Sequence, residues 1–331
     1  MKIAIRADGG KNIGMGHIMR TLVLAQELCK IHDVFYICKV DNPLSEKYRI
    51  GIEKVKSQGF LVKTIRDKFV LSDLKHIEAG LLITDSYDID EVYFDETKKI
   101  FNQTAYIDDM NLYYFNVDFL INQNINGVDF AYKVNIDTKL LVGSDYIMLR
   151  DEIRGISQKY IIENANDIMI TVGGGDPYHI TEQILNYVNI LDYNFHVVVG
   201  PSFEKDNWLK SFESRKVRLY YNANMYEIMQ KCDIAISACG STLYELAFCE
   251  VPTLGLVIAH NQQEIAKKMD ELGMMKNMGW YDNLIKDKFI DDLNYLCNDV
   301  VKRREMSLKA RKAVDGNGAK RIVEGLGLEC G

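Results

Sequence analysis

Residues 2–20 read KIAIRADGGKNIGMGHIMR, and this stretch decides the fold. It begins as a short apolar strand, passes through a turn that holds four glycines, and continues as an amphipathic helix. A strand, a tight turn and a helix make one βα unit, from which parallel sheets are built. The stretch therefore predicts an α/β protein that begins with a Rossmann-like unit.

The same pattern recurs along the chain and divides it into two sets. Apolar runs of five to eight residues alternate with helix-length amphipathic stretches, which is typical of doubly wound sheets. The pattern restarts after a charged linker at 150–166. We predict Rossmann-like domains at 1–150 and 151–314, a tail at 315–331 that packs toward the first domain, and a cleft between the domains. The predicted strands are 2–6, 33–40, 61–65, 81–85, 104–108 and 118–122 in the first set, and 167–172, 194–200, 217–222, 233–238 and 252–259 in the second.

Composition excludes several classes of protein. The 331 residues are 47% apolar and carry a formal charge of -7, which argues against a nucleic-acid-binding surface. No run approaches the roughly 18 apolar residues of a membrane span, and the first residues do not resemble a secretory signal. The seven cysteines include no C-x-x-C pair, so we predict that they are reduced thiols. The spacing of the histidines does not match a metal-binding motif. We expect a cytoplasmic monomer that binds a small ligand and needs no cofactor or metal.

His17 lies at the predicted start of the first helix, where the helix dipole favours the neutral imidazole that a general base requires. Asp8 ends the preceding strand and can orient the ring, although it can equally be a turn residue that bonds its own backbone. A histidine that merely caps or packs at a helix end is the structural alternative. The glycine spacing is not that of a dinucleotide site, and no P-loop lysine follows. We place Arg6, Gly14, Gly16 and Arg20 among the substrate-binding residues.

Two strand ends in the second half resemble anion sites. The glycines of residues 173–175 precede a helix, so backbone N–H groups there can face a phosphate. In residues 237–245 a strand ends at Gly240, and Ser241 and Thr242 begin a helix whose Glu245 can accept from ribose hydroxyls. The alternative is an ordinary N-cap with Glu245 as its capping-box partner. We predict that Gly174, Gly175, Gly240, Ser241, Thr242 and Glu245 bind a nucleoside diphosphate.

Two further strand ends supply polar groups for a sugar. The first is Asp85-Ser86-Tyr87, in which Tyr87 either contacts the sugar or is a half-buried structural tyrosine. The second is the amide-rich turn with Asn261 and Gln262, whose side chains can bond neutral oxygens or only cap a helix. We assign Tyr87 and Asn261 to the catalytic group with His17 and Asp8, and Gln262 to ligand binding.

Taken together, these motifs resemble the nucleotide-sugar hydrolase of pseudaminic acid biosynthesis and its spore-coat polysaccharide relative. The resemblance covers nearly the whole chain. Single glycine motifs occur in many GT-B proteins, including the lipid II-forming N-acetylglucosaminyltransferase, but the early Gly-x-His-x-x-Arg combined with Asp-x-Tyr is more specific. The matching segments are 6–8, 13–20, 85–87, 143–150, 174–176, 240–245, 261–262 and 315–321.

This resemblance implies a GT-B fold and hydrolysis of UDP-2,4-diacetamido-2,4,6-trideoxy-β-L-altropyranose to the free sugar and UDP. By similarity His17 activates water, Tyr87 and Asn261 contact the sugar, and Glu245 contacts the uridine ribose. Attack at the anomeric carbon with rupture of the sugar C–O bond would invert that centre.

Three other functions fit the same architecture. A GT-B glycosyltransferase would deliver the sugar to an acceptor hydroxyl. Those that act on lipid-linked acceptors expose an apolar and basic patch, whereas the basic residues Lys39, Lys47 and Arg49 are scattered here. An epimerase-type enzyme would eliminate UDP and hydrate the resulting glycal. A non-catalytic protein would bind the nucleotide sugar without turnover. Product stereochemistry, acceptor dependence and turnover distinguish these functions.

Overall fold

A computed structural model of the chain describes residues 1–11, 13–154, 159–200, 203 and 208–328. These residues form two compact units: Met1–Arg150 with the described part of the segment from Gly316 onward, and Asp151–Asp315. Residues 155–158 of the predicted linker lie outside the described residues. So does Cys330, while the six described cysteines are free and all except Cys29 are buried.

The first unit is built on a seven-stranded parallel sheet in the order β3-β2-β1-β4-β5-β7-β9. The chain runs outward from β1 to one edge and then from β4 to the other, as in a Rossmann fold. The strands are β1 Lys2–Ala7, β2 Asp33–Val40, β3 Leu61–Arg66, β4 Leu81–Asp85, β5 Gln103–Ile107, β6 Tyr114–Phe115, β7 Phe119–Asn122, β8 Lys133–Val134 and β9 Lys139–Val142, and the helices between them are α1 Gly16–Leu28, α2 Glu46–Ser57, α3 Val70–Leu74 and α4 Glu91–Ile100.

Strand alternation gives this sheet two buried faces. Ile3, Ile5 and Ala7 of β1 pack with α1 and α2, whereas Ala4 belongs to the core that includes residues of α4. Helix α1 buries Ile18, Leu22 and Ala25, which follow one another at helical spacing. The position of a residue along its strand therefore fixes the face of the sheet on which its side chain lies.

The second unit holds a six-stranded parallel sheet in the order β12-β11-β10-β13-β14-β15, again with outward runs from a central pair. Its apolar core packs on both faces of the strands. The elements are α5 Asp151–Arg154, β10 Asp167–Thr171, α6 Ile180–Val188, β11 Asn194–Val199, β12 Val217–Tyr221, α7 Met225–Lys231, β13 Ile234–Ala238, α8 Thr242–Phe248, β14 Thr253–Val257, α9 Gln263–Glu271, β15 Lys276–Trp280, α10 Lys286–Asn298 and α11 Val300–Ala313.

The last helix, α12 Gly318–Gly325, belongs to the first unit. Ile322 and Val323 join the same core as α1. Gly318 touches backbone so closely that a Cβ there would lie 2.1 Å from the Ile147 carbonyl oxygen, which explains a glycine at this helix start. Among the described residues, no helix has the length and apolar character that a membrane span needs.

All eleven predicted strands are present, and the strands missed are β6, β8, β9 and β15. The longer two, β9 and β15, are sheet edges, and their residues alternate poorly between apolar and polar. An edge strand is covered on fewer sides and so needs no continuous apolar run.

Gly51 of α2 offers a test of how tightly the loop after β1 is packed. An alanine normally stabilises a helix interior by up to about 1 kcal/mol relative to glycine. Here the new Cβ would lie 2.4 Å from the Gly9 carbonyl oxygen. We expect Gly51→Ala to lower the free energy of unfolding by about 1–3 kcal/mol in urea denaturation.

The matched control is Gly80→Ala, where the nearest atom to the new Cβ is the flexible end of Met1 at 3.1 Å. This variant should unfold within about 0.5 kcal/mol of the wild type. A Gly51→Ala protein as stable as Gly80→Ala would contradict the packing described for this loop.

Candidate active site

His17 is the second residue of α1 and lies at the carboxyl end of the sheet, beside the β1–β4 pair where the strand order reverses. Its side chain is buried, with 7% of the residue exposed. A Cβ added at Gly14 or at Gly16 would meet no atom within 4 Å, so the backbone on either side of Met15 borders open space. Ligands of doubly wound sheets bind at this position of the fold.

Gly9 and Gly10 serve a different purpose from Gly14 and Gly16. A Cβ at Gly9 would lie 2.7 Å from Ile18, and one at Gly10 would lie 2.4 Å from the carbonyl oxygens of Glu46 and Lys47. These two glycines therefore pack the loop against α1 and α2. Of the four glycines in this turn, Gly14 and Gly16 are the two that border open space.

Asp85, the last residue of β4, is the carboxylate that contacts His17. Its Oδ1 lies 2.6 Å from His17 Nδ1, and the residue is fully buried. Because an ionised carboxylate only accepts hydrogen bonds, Nδ1 carries the proton and Nε2 carries the lone pair. The tautomer is thus the one that a base acting through Nε2 requires.

The predicted orienting residue, Asp8, does not hold the ring. Asp8 Oδ1 accepts from the backbone N–H of Lys39 at 2.7 Å, which ties the end of β1 to β2. Ala7 pairs in register with Asp85, and Ala7 packs on the α1 side of the sheet, so Asp85 projects toward α1. The assignment of Asp8 as the residue that orients His17 is therefore corrected to Asp85.

Arg20 joins Asp85 to a second carboxylate, Asp109. Its Nε donates to Asp85 Oδ2 at 2.6 Å and one terminal nitrogen to Asp85 Oδ1 at 2.6 Å, while the other terminal nitrogen donates to both Asp109 oxygens at 2.7 and 2.8 Å. Each nitrogen of the guanidinium is engaged within the protein. The predicted substrate-binding role is corrected to one of holding the two carboxylates.

The charge of Arg20 keeps both carboxylates ionised. Burial by itself would raise the pKa of Asp85, but Arg20 and then His17 outweigh burial and lower the pKa to about 2. Burial also opposes ionisation of Asp109, and Arg20 again lowers the pKa below its ordinary value. Arg20 in turn loses hydration on burial, yet the two carboxylates raise its pKa well above the usual range.

Tyr87 follows Asp85 by two residues and contacts both His17 and Asp109. Its ring meets the imidazole edge to face with centroids 4.5 Å apart, and its hydroxyl donates to Asp109 Oδ2 at 2.6 Å. Burial, and then the charge of Asp109, raise the pKa of Tyr87 well above its ordinary value, so the phenol is neutral and donates. The residue is 45% exposed.

Asp109 and Asn124 are functional candidates that the sequence analysis missed. Asp109 follows β5, Asn124 follows β7, and Asn124 Nδ2 donates to Asp109 Oδ1 at 3.0 Å. The signal for them is that polar residues stand at or just after the ends of β4, β5 and β7, all at one edge of the sheet. The pattern that indicates Asp85-Ser86-Tyr87, polar residues at the end of a strand, also indicates Asp109 and Asn124.

Arg6 lies on the other face of the sheet. Its guanidinium is fully buried 4.9 Å from the ring centroid of Tyr93 in α4, and Tyr93 also bonds Thr84, the residue paired with Arg6 in register. The predicted role of Arg6 in substrate binding is therefore wrong, because the sheet separates its side chain from the α1 face that carries His17.

In the second unit, Asp176 caps the helix that follows the glycines at 173–175. Its two carboxylate oxygens accept from the backbone N–H groups of Ile180 and Thr181 at 2.8 Å each. The start of α6 is thus capped by its own chain rather than open to an anion. Gly173 and Gly174 border open space, since a Cβ at either would meet no atom within 4 Å.

The turns after β13 and β14 adjoin each other. A Cβ at Gly240 would lie 3.6 Å from Gln262 Nε2, and Gln262 Oε1 accepts from the Ile258 N–H at 3.0 Å. Ser241 precedes α8 without a side-chain cap bond, so the capping-box alternative lacks its first contact. Glu245 is buried in the first turn of α8, and Asn261 lies exposed in the turn after β14.

Solved structures with this architecture cover nearly the whole chain. MurG of Acinetobacter baumannii aligns over 98% of each chain with a TM-score of 0.67 and 13% identity. The UDP-GlcNAc 2-epimerase of Neisseria meningitidis aligns over 99% of this chain and all of its own, with a TM-score of 0.63 and 13% identity. At these identities the likeness shows the fold alone, and it confirms the predicted GT-B fold.

Three sequence relatives match 80% or more of the chain. An uncharacterised protein of Methanocaldococcus jannaschii is 29% identical over 80% of this chain, which spans 57% of that protein's length. The spore coat polysaccharide biosynthesis protein SpsG of Bacillus subtilis is 24% identical over 98% of this chain and 97% of its own.

The UDP-2,4-diacetamido-2,4,6-trideoxy-β-L-altropyranose hydrolase of Campylobacter jejuni is 22% identical over 82% of this chain and 97% of its own. No family model matches the chain. The named relatives confirm the resemblance drawn from the motifs.

Asp85→Asn tests the electrostatics of this site. We expect a loss of about 3–5 kcal/mol in unfolding free energy at pH 7, because a buried charge network loses one member. The pKa of Asp85 in the folded protein is lowered to about 2, so its stabilising effect is complete above the unfolded value near pH 4 and disappears as the pH falls through about 2. The stability difference between wild type and variant should shrink below pH 4.

Urea denaturation between pH 7 and pH 3 measures this difference. The exposed Asp137→Asn provides the control and should stay within about 0.5 kcal/mol of the wild type at pH 7. An Asp85→Asn deficit that is as large at pH 3 as at pH 7 would show that the deficit does not come from ionised Asp85.

Proposed function

We propose that this protein is a nucleotide-sugar hydrolase that cleaves UDP-2,4-diacetamido-2,4,6-trideoxy-β-L-altropyranose to the free sugar and UDP, in pseudaminic acid or related surface polysaccharide biosynthesis. The observation that carries the proposal is the 2.6 Å contact between His17 Nδ1 and Asp85. It fixes the tautomer whose Nε2 can accept a proton from water.

In this mechanism Nε2 of His17 takes a proton from a water molecule, and the water oxygen attacks the anomeric carbon. The bond between that carbon and the diphosphate oxygen breaks, and UDP leaves with the electron pair. The anomeric centre inverts because attack and departure take place on opposite faces. Asp85 stabilises the imidazolium that forms, as the aspartate does in a catalytic triad.

The remaining roles in the proposal rest on the resemblance to the named relatives. Tyr87 and Asn261 are assigned contacts with the sugar, and residues 1–150 carry the sugar and catalytic side. Residues 151–314 bind UDP. The diphosphate is bound by Gly174, Gly175, Gly240, Ser241 and Thr242, the ribose by Glu245, and Gln262 supports the turn beside Gly240, while Gly14 and Gly16 leave room for the sugar.

A GT-B glycosyltransferase is the second candidate, because the tautomer of His17 that can accept a proton from water can also accept one from the hydroxyl of an acceptor. The same His17 would then deprotonate an acceptor hydroxyl instead of water. Dependence of UDP release on an added acceptor distinguishes the two reactions.

Incubation with the UDP-linked diacetamido-trideoxy-altrose in oxygen-18 water, without metal or acceptor, tests the reaction. We expect UDP release with the label in the sugar and with inversion at the anomeric carbon, because water attacks carbon. Mass spectrometry and NMR of the first product measure both. Label in UDP, or release only when an acceptor is added, would exclude the proposed hydrolysis.

His17→Ala should lower kcat by about 10²- to 10⁴-fold, since general-base catalysis contributes on that order. UDP affinity, measured by calorimetry, should stay within about 2-fold because UDP is assigned to the second unit. His76→Asn changes an exposed histidine of the first unit and serves as the control. Wild-type turnover in a folded His17→Ala protein would remove His17 as the base.

Glu245→Ala should weaken UDP binding by about 10- to 100-fold, because charge-assisted hydrogen bonds to ribose hydroxyls contribute about 1.5–3 kcal/mol. Calorimetry with UDP measures this effect without any turnover. Glu271→Ala, at the exposed end of α9, is the matched control. Equal UDP affinity in both variants would count against the ribose contact.

A further inference from the structure

Asp109 is a buried carboxylate in the first unit to which the proposed reaction assigns no task. Only 8% of the residue is exposed, and three side chains contact its oxygens: Arg20, Tyr87 and Asn124. It follows β5 at the same edge of the sheet as Asp85. A buried charge bound this fully is held in one position.

These contacts close a ring of five residues. His17 contacts Asp85, Asp85 and Asp109 share Arg20, Asp109 accepts from the Tyr87 hydroxyl, and the Tyr87 ring returns to His17 at 4.5 Å. Each member is held by two others. A displacement of one residue is therefore passed to the imidazole along two routes.

We propose that Asp109 is a positioning residue for the hydrolysis: it anchors the Tyr87 hydroxyl so that the ring faces the sugar, and through Arg20 it holds Asp85 against His17. This inference rests on the proposed function for its kinetic consequences. Its structural consequence, the orientation of His17, holds for any reaction at this site.

The sharing of Arg20 has an electrostatic consequence. Two carboxylates and one guanidinium carry a net charge of -1, which favours the imidazolium that forms when His17 takes a proton. If Asp109 were neutral, the charge of Arg20 would be paired with Asp85 alone. The hydrogen bond from the Nδ1–H of His17 to Asp85 would then weaken, because Asp85 would share its charge with a guanidinium that has no second carboxylate partner.

The anchored hydroxyl also decides which part of Tyr87 is available. Its O–H donates to Asp109 at 2.6 Å, yet 45% of the residue is exposed. Because Asp109 holds the hydroxyl, the part of the side chain left to contact a sugar is the ring surface, which packs against C–H groups rather than bonding hydroxyls. Tyr87→Phe keeps this surface and loses only the anchor.

The first test reads the hydrogen bond from His17 Nδ1–H to Asp85 by proton and nitrogen-15 NMR of histidine-labelled protein, with His17→Gln used to assign the signal. We expect the Nδ1–H proton to resonate downfield in the wild type and to move upfield in Asp109→Asn, because the hydrogen bond is weaker there. Asp118→Asn is the matched control, because Asp118 pairs with Lys98 and with the Thr104 N–H outside this ring. A wild-type chemical shift of the Nδ1–H proton in folded Asp109→Asn would overturn the proposal.

The second test separates kcat from KM. Asp109→Asn should lower kcat by about 10- to 100-fold and change KM by less than about 3-fold, because a misplaced base slows the step more than it weakens binding. Asp109→Glu, which keeps the charge, should recover part of kcat. A loss confined to KM, or equal loss in the Glu and Asn variants, would contradict the positioning role.

A double-mutant cycle isolates the anchor. Tyr87→Phe alone should cost about 3- to 10-fold in kcat/KM, the effect of one hydrogen bond, and it should add less than about 2-fold to Asp109→Ala. Independent, multiplicative losses would overturn the anchor. If the wild type does not turn over the substrate, the proposed reaction fails, while the NMR measurement of the Nδ1–H hydrogen bond still decides the role of Asp109.

Discussion

The candidate site depends on one interaction, the sharing of the Arg20 guanidinium between Asp85 and Asp109. Each carboxylate is almost completely removed from water, and two such charges side by side would repel each other strongly in a medium of low polarity. A planar guanidinium resolves this problem because its fork can bind both carboxylates at once. Its position is set by α1, which places Arg20 one turn after His17, so His17 and the cation that organises its surroundings come from the same helix.

Strand alternation decides which predicted residues can meet. Arg6 and Asp85 lie near the same carboxyl edge of the first sheet, yet Arg6 faces Tyr93 of α4 while Asp85 faces α1. The two differ by a single step in register, since Asp85 pairs with Ala7 rather than with Arg6. A one-residue step moves a side chain to the opposite face. The sequence motif Arg6-x-Asp8 therefore belongs to the packing of β1 against its neighbours, and Asp85 performs the task expected of Asp8.

Much of the fold follows from the sequence because central parallel strands are buried on both faces and must be apolar throughout. The runs at 81–85 and 234–238 illustrate this, as every residue in them is buried. The edge strand β15, with Lys276 and Asn277, lacks that constraint and was not predicted. The sequence predicts where the site lies, because strand ends identify the edge of the sheet at which polar residues gather. It does not predict which residues contact one another, because partners such as Asp109 are brought in by the register of strands far apart in sequence.

The proposed function gives the two units different electrostatic tasks. In the first unit the ring of residues around Arg20 has a net charge of -1 and becomes neutral when His17 is protonated, so it favours removal of a proton from the nucleophile. A leaving diphosphate needs the opposite surroundings, namely donors that can bear growing negative charge. The proposed diphosphate residues after β10 and β13 lie in the second unit, where Asp176 has turned its two oxygens onto the start of α6. A carboxylate that is bound by two N–H groups of its own helix repels a nearby phosphate less than an unbound carboxylate does. The hydrogen bonds that Asp176 accepts therefore leave the Gly173–Gly174 backbone compatible with an anion.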